Sequence, residues 1–100
     1  MRKRDLLTLQ DYTPDEISGF LEAADRFKRG NADPDEMNIL AGKSIVLLFQ
    51  KPSTRTRVSF EVAIAQLGGH PITLGWSESQ LGRGESIADT ARVLSRYVDA

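Results

Sequence analysis

Ser44-Ile45-Val46-Leu47-Leu48-Phe49-Gln50-Lys51-Pro52-Ser53-Thr54-Arg55-Thr56-Arg57 is the stretch that decides the fold. Ile45 to Phe49 is an unbroken apolar run, the pattern of a strand buried on both faces of a parallel sheet. Gln50-Lys51-Pro52 breaks the run. A helix is predicted from about Ser53 to Leu67, with Val58, Ala63, Ile64 and Leu67 as buried candidates, and Gly68-Gly69 stops it. Pro71-Ile72-Thr73-Leu74 reads as a second, short strand. Strand, helix and strand in this order imply a parallel pair joined by a right-handed crossover. The fold class is therefore α/β, an open parallel sheet with flanking helices.

Working towards the N-terminus, Thr13-Pro14-Asp15-Glu16 is a strong helix start. Thr13 is the N-cap, Pro14 takes the first helical position and Glu16 closes a capping box. Ile17, Phe20, Leu21, Ala24 and Phe27 follow helical spacing on one face, and Gly30 is placed to end the helix. Asn31 to Glu36, with Pro34, reads as a surface loop. Towards the C-terminus, Trp76 to Gly84 is a polar loop. A third long helix is predicted from about Ser86 to Val98, with Ser86 and Asp89 at capping-box spacing. Ile87, Ala91, Leu94 and Val98 form its apolar face, and Tyr97 is read onto the same core side. Two parallel strands cannot cover both of their own faces, and another strand is expected where this helix ends. The expectation is an incomplete domain.

The composition, 40% hydrophobic and 27% charged, is that of an ordinary globular chain. A formal net charge of −1 argues against a broad basic surface for nucleic acid. With no cysteine there is no disulfide, thiolate metal site or thiol nucleophile, which fits a reducing cytosol. Met1 to Arg4 resembles the charged start of a signal peptide, but Asp5 to Asp11 is too polar to be its apolar core. No apolar stretch reaches membrane-spanning length, so a cytoplasmic protein without membrane contact is expected. His70, between Gly69 and Pro71, has no second ligand candidate and is not read as a metal site.

Charge is uneven along the chain. From Asn38 to Ser59 there is no acidic residue, while Lys43, Lys51, Arg55 and Arg57 are basic. In open parallel α/β sheets, ligands bind beyond the carboxyl ends of the strands. Gln50 to Arg57 occupies that place and runs into a helix N-terminus, where free N–H groups and the helix dipole favour an anion. Ser53, Thr54 and Thr56 add hydroxyl donors, and Arg55 can grip a phosphate through two parallel hydrogen bonds. Cations at a helix N-terminus are otherwise disfavoured, so the arginines make sense if a bound anion offsets them. The bland alternative has Ser53 as an ordinary N-cap and the arginines solvated. No Gly-x-x-x-x-Gly-Lys-Ser/Thr run is present, which disfavours a nucleoside triphosphate.

Phe49-Gln50-Lys51-Pro52-Ser53-Thr54-Arg55-Thr56-Arg57-Val58-Ser59-Phe60-Glu61 resembles the carbamoyl phosphate signature of aspartate and ornithine carbamoyltransferases. Gln80-Leu81-Gly82-Arg83-Gly84-Glu85-Ser86-Ile87-Ala88-Asp89-Thr90-Ala91-Arg92-Val93-Leu94-Ser95 is similar to the ornithine branch. The resemblance extends from Leu6 to Ala100. It implies that Ser53, Thr54, Arg55 and Thr56 bind the phosphate of carbamoyl phosphate. Arg55 would stabilise the leaving phosphate, and Thr56 would help hold the carbonyl oxygen. Gln80 matches the position that reaches carbamoyl phosphate from a neighbouring subunit. Arg57 is expected to be structural, with Glu61 four residues on as its partner. Aspartate-type enzymes carry a longer, lysine-rich loop where this chain has a single Arg83 before Gly84, which favours ornithine and leaves the role of Arg83 open.

The implied reaction moves the carbamoyl group from carbamoyl phosphate to the ornithine side-chain amine, giving citrulline and phosphate, in arginine biosynthesis or catabolism. The resemblance implies no cofactor and no metal, and partners limited to carbamoyl phosphate, an amino-acid acceptor and copies of the chain in a homotrimer or an assembly of trimers with shared sites. Residues 1–100 would be the N-terminal part of the carbamoyl phosphate-binding domain. The family's second arginine, its His-Pro-x-Gln segment and the amino-acid-binding domain are not in this sequence, so these residues alone are expected to be inactive. The alternatives are another acceptor (aspartate, N-acetylornithine or putrescine) or a non-enzymatic phosphate-binding or assembly module.

Overall fold

A computed structural model describes residues 5–78 and 83–100. The chain divides into two compact units, Met1–Asp33 and Pro34–Ala100. In the first, α1 (Pro14–Lys28) begins as its sequence requires. Thr13 Oγ1 accepts the Glu16 N–H at 3.1 Å, and Glu16 Oε1 accepts the Thr13 N–H at 2.9 Å. Gly30 follows the helix at φ +72°, a left-handed conformation that favours glycine. Tyr12 meets Phe20 edge-to-face with ring centroids 5.3 Å apart. Phe20, Leu21 and Ala24 are nonetheless exposed, contrary to the expectation of a buried stripe.

The second unit holds the sheet. A short helix α2 (Pro34–Met37) replaces the end of the expected loop, because Pro34 at its first position has a preset φ and needs no N–H partner there. Next come β1 (Ser44–Phe49), α3 (Thr54–Gln66) and β2 (His70–Gly75), and the strands pair in parallel from Ser44↔His70 to Phe49↔Gly75. Both strands thus end at the same edge, which is where α3 starts. A 3-10 turn, Trp76–Glu78, opens the polar loop, and α4 (Ile87–Ser95) ends the run of elements. Beyond α4 the chain returns to β1 on the edge opposite β2: the Val46 N–H donates to the Ala100 carbonyl at 2.8 Å and the Asp99 N–H to the Ser44 carbonyl at 2.9 Å. That return stands where another strand is expected.

Burial is sparse. Among the described residues, Ile64 (6% exposed) is the buried apolar side chain and Thr90 (5% exposed) the buried polar one. Ile64 packs where α3 crosses the start of β2. A Cβ built on Gly69 would lie 2.9 Å from Ile64 Cγ2 and 3.1 Å from Leu40 Cβ, so only glycine allows this approach. Leu67 is half-buried, but Val58 and Ala63 face outward. α4 ends at Ser95, short of the expected Val98. On it Leu94 is half-buried while Ile87 and Ala91 are exposed, and beyond it Tyr97 is exposed and Val98 half-buried. The cause is area: two strands offer too little surface to cover every apolar stripe of the helices around them. Thr90 is held by its Oγ1–H, which donates to Glu85 Oε1 at 2.9 Å, a brace between α4 and the residues before it.

Candidate carbamoyl phosphate site

A cleft of about 430 Å³ opens at the carboxyl ends of β1 and β2. Phe49 to Thr54 form one side, Thr73 to Ser77 form the other, and Arg57 reaches in from α3. The parallel pairing creates this place, since both strands deliver their last residues to one edge and the chain then turns into a helix N-terminus.

Ser53 is the N-cap of α3, yet its side chain makes no capping hydrogen bond. Thr13 and Ser86, the caps of α1 and α4, do so: Ser86 Oγ accepts the Asp89 N–H at 3.1 Å. Helix geometry leaves the first N–H groups of α3 without intrahelical acceptors, at the end of the helix where Ser53 and Thr54 line the cleft. No acidic residue occupies the first turn of α3.

The cleft brings together two of the expected residues, Ser53 and Thr54. Arg55 and Thr56 are exposed residues of the first turn and are not part of the cleft wall. Rotation of about 100° per residue separates them from the face of Ser53. Their own N–H groups still belong to the helix end. Arg57, expected to be structural, pairs with Glu61 as anticipated, Nε to Oε2 at 3.1 Å, and also lines the cleft. Gln80 lies outside the described residues. Arg83 is exposed.

Lys51, already read as a basic residue of the strand–helix motif, lines the cleft, and Thr73 and Trp76 join it from outside that motif. Lys51 adds positive charge at the entrance, Thr73 sits on β2 opposite Leu47, and half-buried Trp76 closes one side. Their signal is positional: each stands at or just past the carboxyl end of a parallel strand. Among the described residues, no cluster of three or more His, Cys, Asp or Glu could hold a metal ion.

Residues 4–100 match the family described as aspartate/ornithine carbamoyltransferase, carbamoyl-P binding domain. The chain belongs to this family. Ornithine carbamoyltransferase of Pyrococcus horikoshii is 60% identical over 100 residues, covering all of this chain and 32% of that protein. The anabolic ornithine carbamoyltransferase of Pyrococcus furiosus is 61% identical over 97 residues, covering 97% of this chain and 31% of that protein. The solved ornithine carbamoyltransferase from P. furiosus superposes with a TM-score of 0.83 at 60% identity, covering 96% of this chain and 31% of that one. The catalytic subunit of M. jannaschii aspartate transcarbamoylase superposes with a TM-score of 0.80 at 37% identity, covering 97% and 32%. The chain therefore spans about a third of the length of these family members. The open parallel sheet with flanking helices is the part of the carbamoyltransferase fold that they share with it.

Proposed function

We propose that this chain is the carbamoyl phosphate-binding part of an ornithine carbamoyltransferase acting in arginine biosynthesis. The observation that carries the reading is the cleft at the N-terminus of α3, where the N-cap Ser53 leaves its hydroxyl uncommitted. Identity of 60% to an ornithine enzyme across all 100 residues supports ornithine as the acceptor.

In this reading Ser53, Thr54, Arg55 and Thr56 hold the phosphate of carbamoyl phosphate through hydroxyls, helix N–H groups and a guanidinium. The neutral side-chain amine of ornithine attacks the carbonyl carbon. A tetrahedral intermediate forms and collapses, the carbon–oxygen bond to phosphate breaks, and citrulline and phosphate leave after the attacking nitrogen loses a proton. These residues position the donor and stabilise charge on the carbonyl oxygen and the departing phosphate. Thr56 serves the carbonyl oxygen and Arg55 the phosphate. Residues 1–100 form the N-terminal part of the donor-binding domain, and the acceptor-binding domain belongs to the rest of the protein. The protein works in the cytoplasm as a homotrimer or assembly of trimers, in which Gln80 completes a neighbour's site.

The test is Arg55→Ala in the full-length protein, with an acceptor panel of ornithine, aspartate, N-acetylornithine and putrescine. The expected result is citrulline formation by the unaltered protein and a loss of at least about 100-fold in kcat/KM for the variant, the scale of a removed charge-stabilising donor. Unchanged kinetics in Arg55→Ala would refute the site assignment. Turnover with another acceptor in place of ornithine would refute the substrate. Mixing an inactive Arg55 variant with an inactive Gln80 variant should restore part of the activity if subunits share sites.

A further inference from the structure

Arg57 stands one helical turn beyond Ser53, and its N–H donates to the Ser53 carbonyl at 2.8 Å. Residues three and four apart on a helix share a face. Thr54 and Ser53 therefore lie on the same side of α3 as Arg57, and all three line the cleft. Glu61 holds the arginine by Nε at 3.1 Å. That bond uses one of the five N–H donors of a guanidinium and leaves the two terminal nitrogens for a second acceptor.

An ion pair of this kind is a weak reason to keep a cation so near the positive end of a helix. The pair is substantially solvated, with side chains 55% and 33% exposed. Its order, cation before carboxylate, is also the less favourable one along a helix. A bound dianion supplies the missing reason. We propose that Arg57, positioned by Glu61, is a second guanidinium contact of the carbamoyl phosphate phosphate group, on the cleft side of α3. This rests on the carbamoyl phosphate reading above. Glu61 is then a positioning residue: it fixes the guanidinium plane so that the terminal N–H groups face the cleft.

The experiment compares Arg57→Gln, Arg57→Lys, Glu61→Gln and the Arg57→Gln/Glu61→Gln pair in the full-length protein. It measures KM for carbamoyl phosphate, KM for the acceptor, inhibition by inorganic phosphate, and Tm. Arg57→Gln is expected to raise KM for carbamoyl phosphate and weaken phosphate inhibition by about tenfold, the scale of one lost charge-assisted bond, with acceptor KM and Tm nearly unchanged. Arg57→Lys should recover part of the loss. Glu61→Gln should raise KM a few-fold, and that effect should vanish in the Arg57→Gln background, because a positioning residue acts only through what it positions. A fall in Tm with unchanged KM and phosphate inhibition would overturn the proposal and leave a purely structural pair. If Arg57→Gln does not fold, Arg57→Lys and Glu61→Gln decide by the same readouts. A parent protein that neither uses carbamoyl phosphate nor is inhibited by phosphate would overturn the functional reading as well. A parent that does both, with variants that match it, would overturn this inference alone.

Discussion

Asp99 grips Ser44 twice: its carboxylate Oδ2 accepts the Ser44 N–H at 2.9 Å, and its own N–H donates to the Ser44 carbonyl at 2.9 Å. The segment after α4 is thereby fastened to the start of β1, at the end of the strand away from the cleft. Asp99→Ala removes the side-chain half of the clamp and leaves a strand N–H to water. The expected loss is about 1 kcal/mol, since the contact is solvent-exposed and charge-assisted. Urea denaturation should report the loss, and KM for carbamoyl phosphate should not move. A change in KM without a change in stability would contradict this account.

Two serine caps should respond in opposite ways. Ser86 caps α4 through the Asp89 N–H, so Ser86→Ala should lower stability by about 1 kcal/mol, as lost N-caps do. Ser53 makes no such bond. Ser53→Ala should leave Tm within about a degree of the parent on that ground and instead weaken phosphate inhibition. Thermal melts and phosphate titrations on both variants provide the check.

The elements of the chain were legible where one pattern allowed a single answer. Ser44 to Phe49 read as a strand and Thr13-Pro14-Asp15-Glu16 as a helix start, and both elements stand where those signals put them. However, β1 is half-buried with Leu48 exposed rather than covered on both faces. The buried side of α3 was not legible. Val58, Phe60, Val62, Ala63 and Ile64 run around the helix rather than along one stripe, so periodicity does not choose among them. Ile64 is the buried one because Gly69 lets β2 approach it, a contact between residues whose spacing obeys no helical rule. The cleft at the carboxyl ends of the strands was readable from a strand, a break and a basic helix start. That Arg57 lines the cleft while Arg55 does not was missed, because the motif resemblance put Arg55 on the ligand and gave Arg57 a structural role. Counting four residues from Ser53 is the signal that separates them.

Gly69→Ala is expected to be among the most damaging small substitutions in this region. The new methyl would stand 2.9 Å from Ile64 Cγ2 and 3.2 Å from the Ile64 carbonyl oxygen, and backbone does not yield easily. Overpacking of this kind destabilises by about 1–3 kcal/mol. The double variant Gly69→Ala/Ile64→Leu should recover part of the loss, because leucine has no branch at Cβ and so lacks the crowded Cγ2, and a comparison of Tm values measures it.

Thr73 Oγ1 is buried without a hydrogen-bond partner among the described residues. Valine has nearly the same shape and no hydroxyl to desolvate. Thr73→Val should therefore raise stability, by about 1 kcal/mol, as removal of an unsatisfied buried polar group does. A fall in stability on chemical denaturation would mean that the hydroxyl has a partner in the whole protein.

The uncommitted hydroxyl of Ser53 also links ligand to backbone order. A helix whose own cap is absent frays at its first turn, and an anion resting on those N–H groups closes the end that the sequence leaves open. Whatever binds the folded turn and not the frayed one stabilises it by mass action. Amide hydrogen exchange at the start of α3 should slow as phosphate is added, while the self-capped start of α4 exchanges at an unchanged rate. The substrate, on this account, is the last piece of the helix.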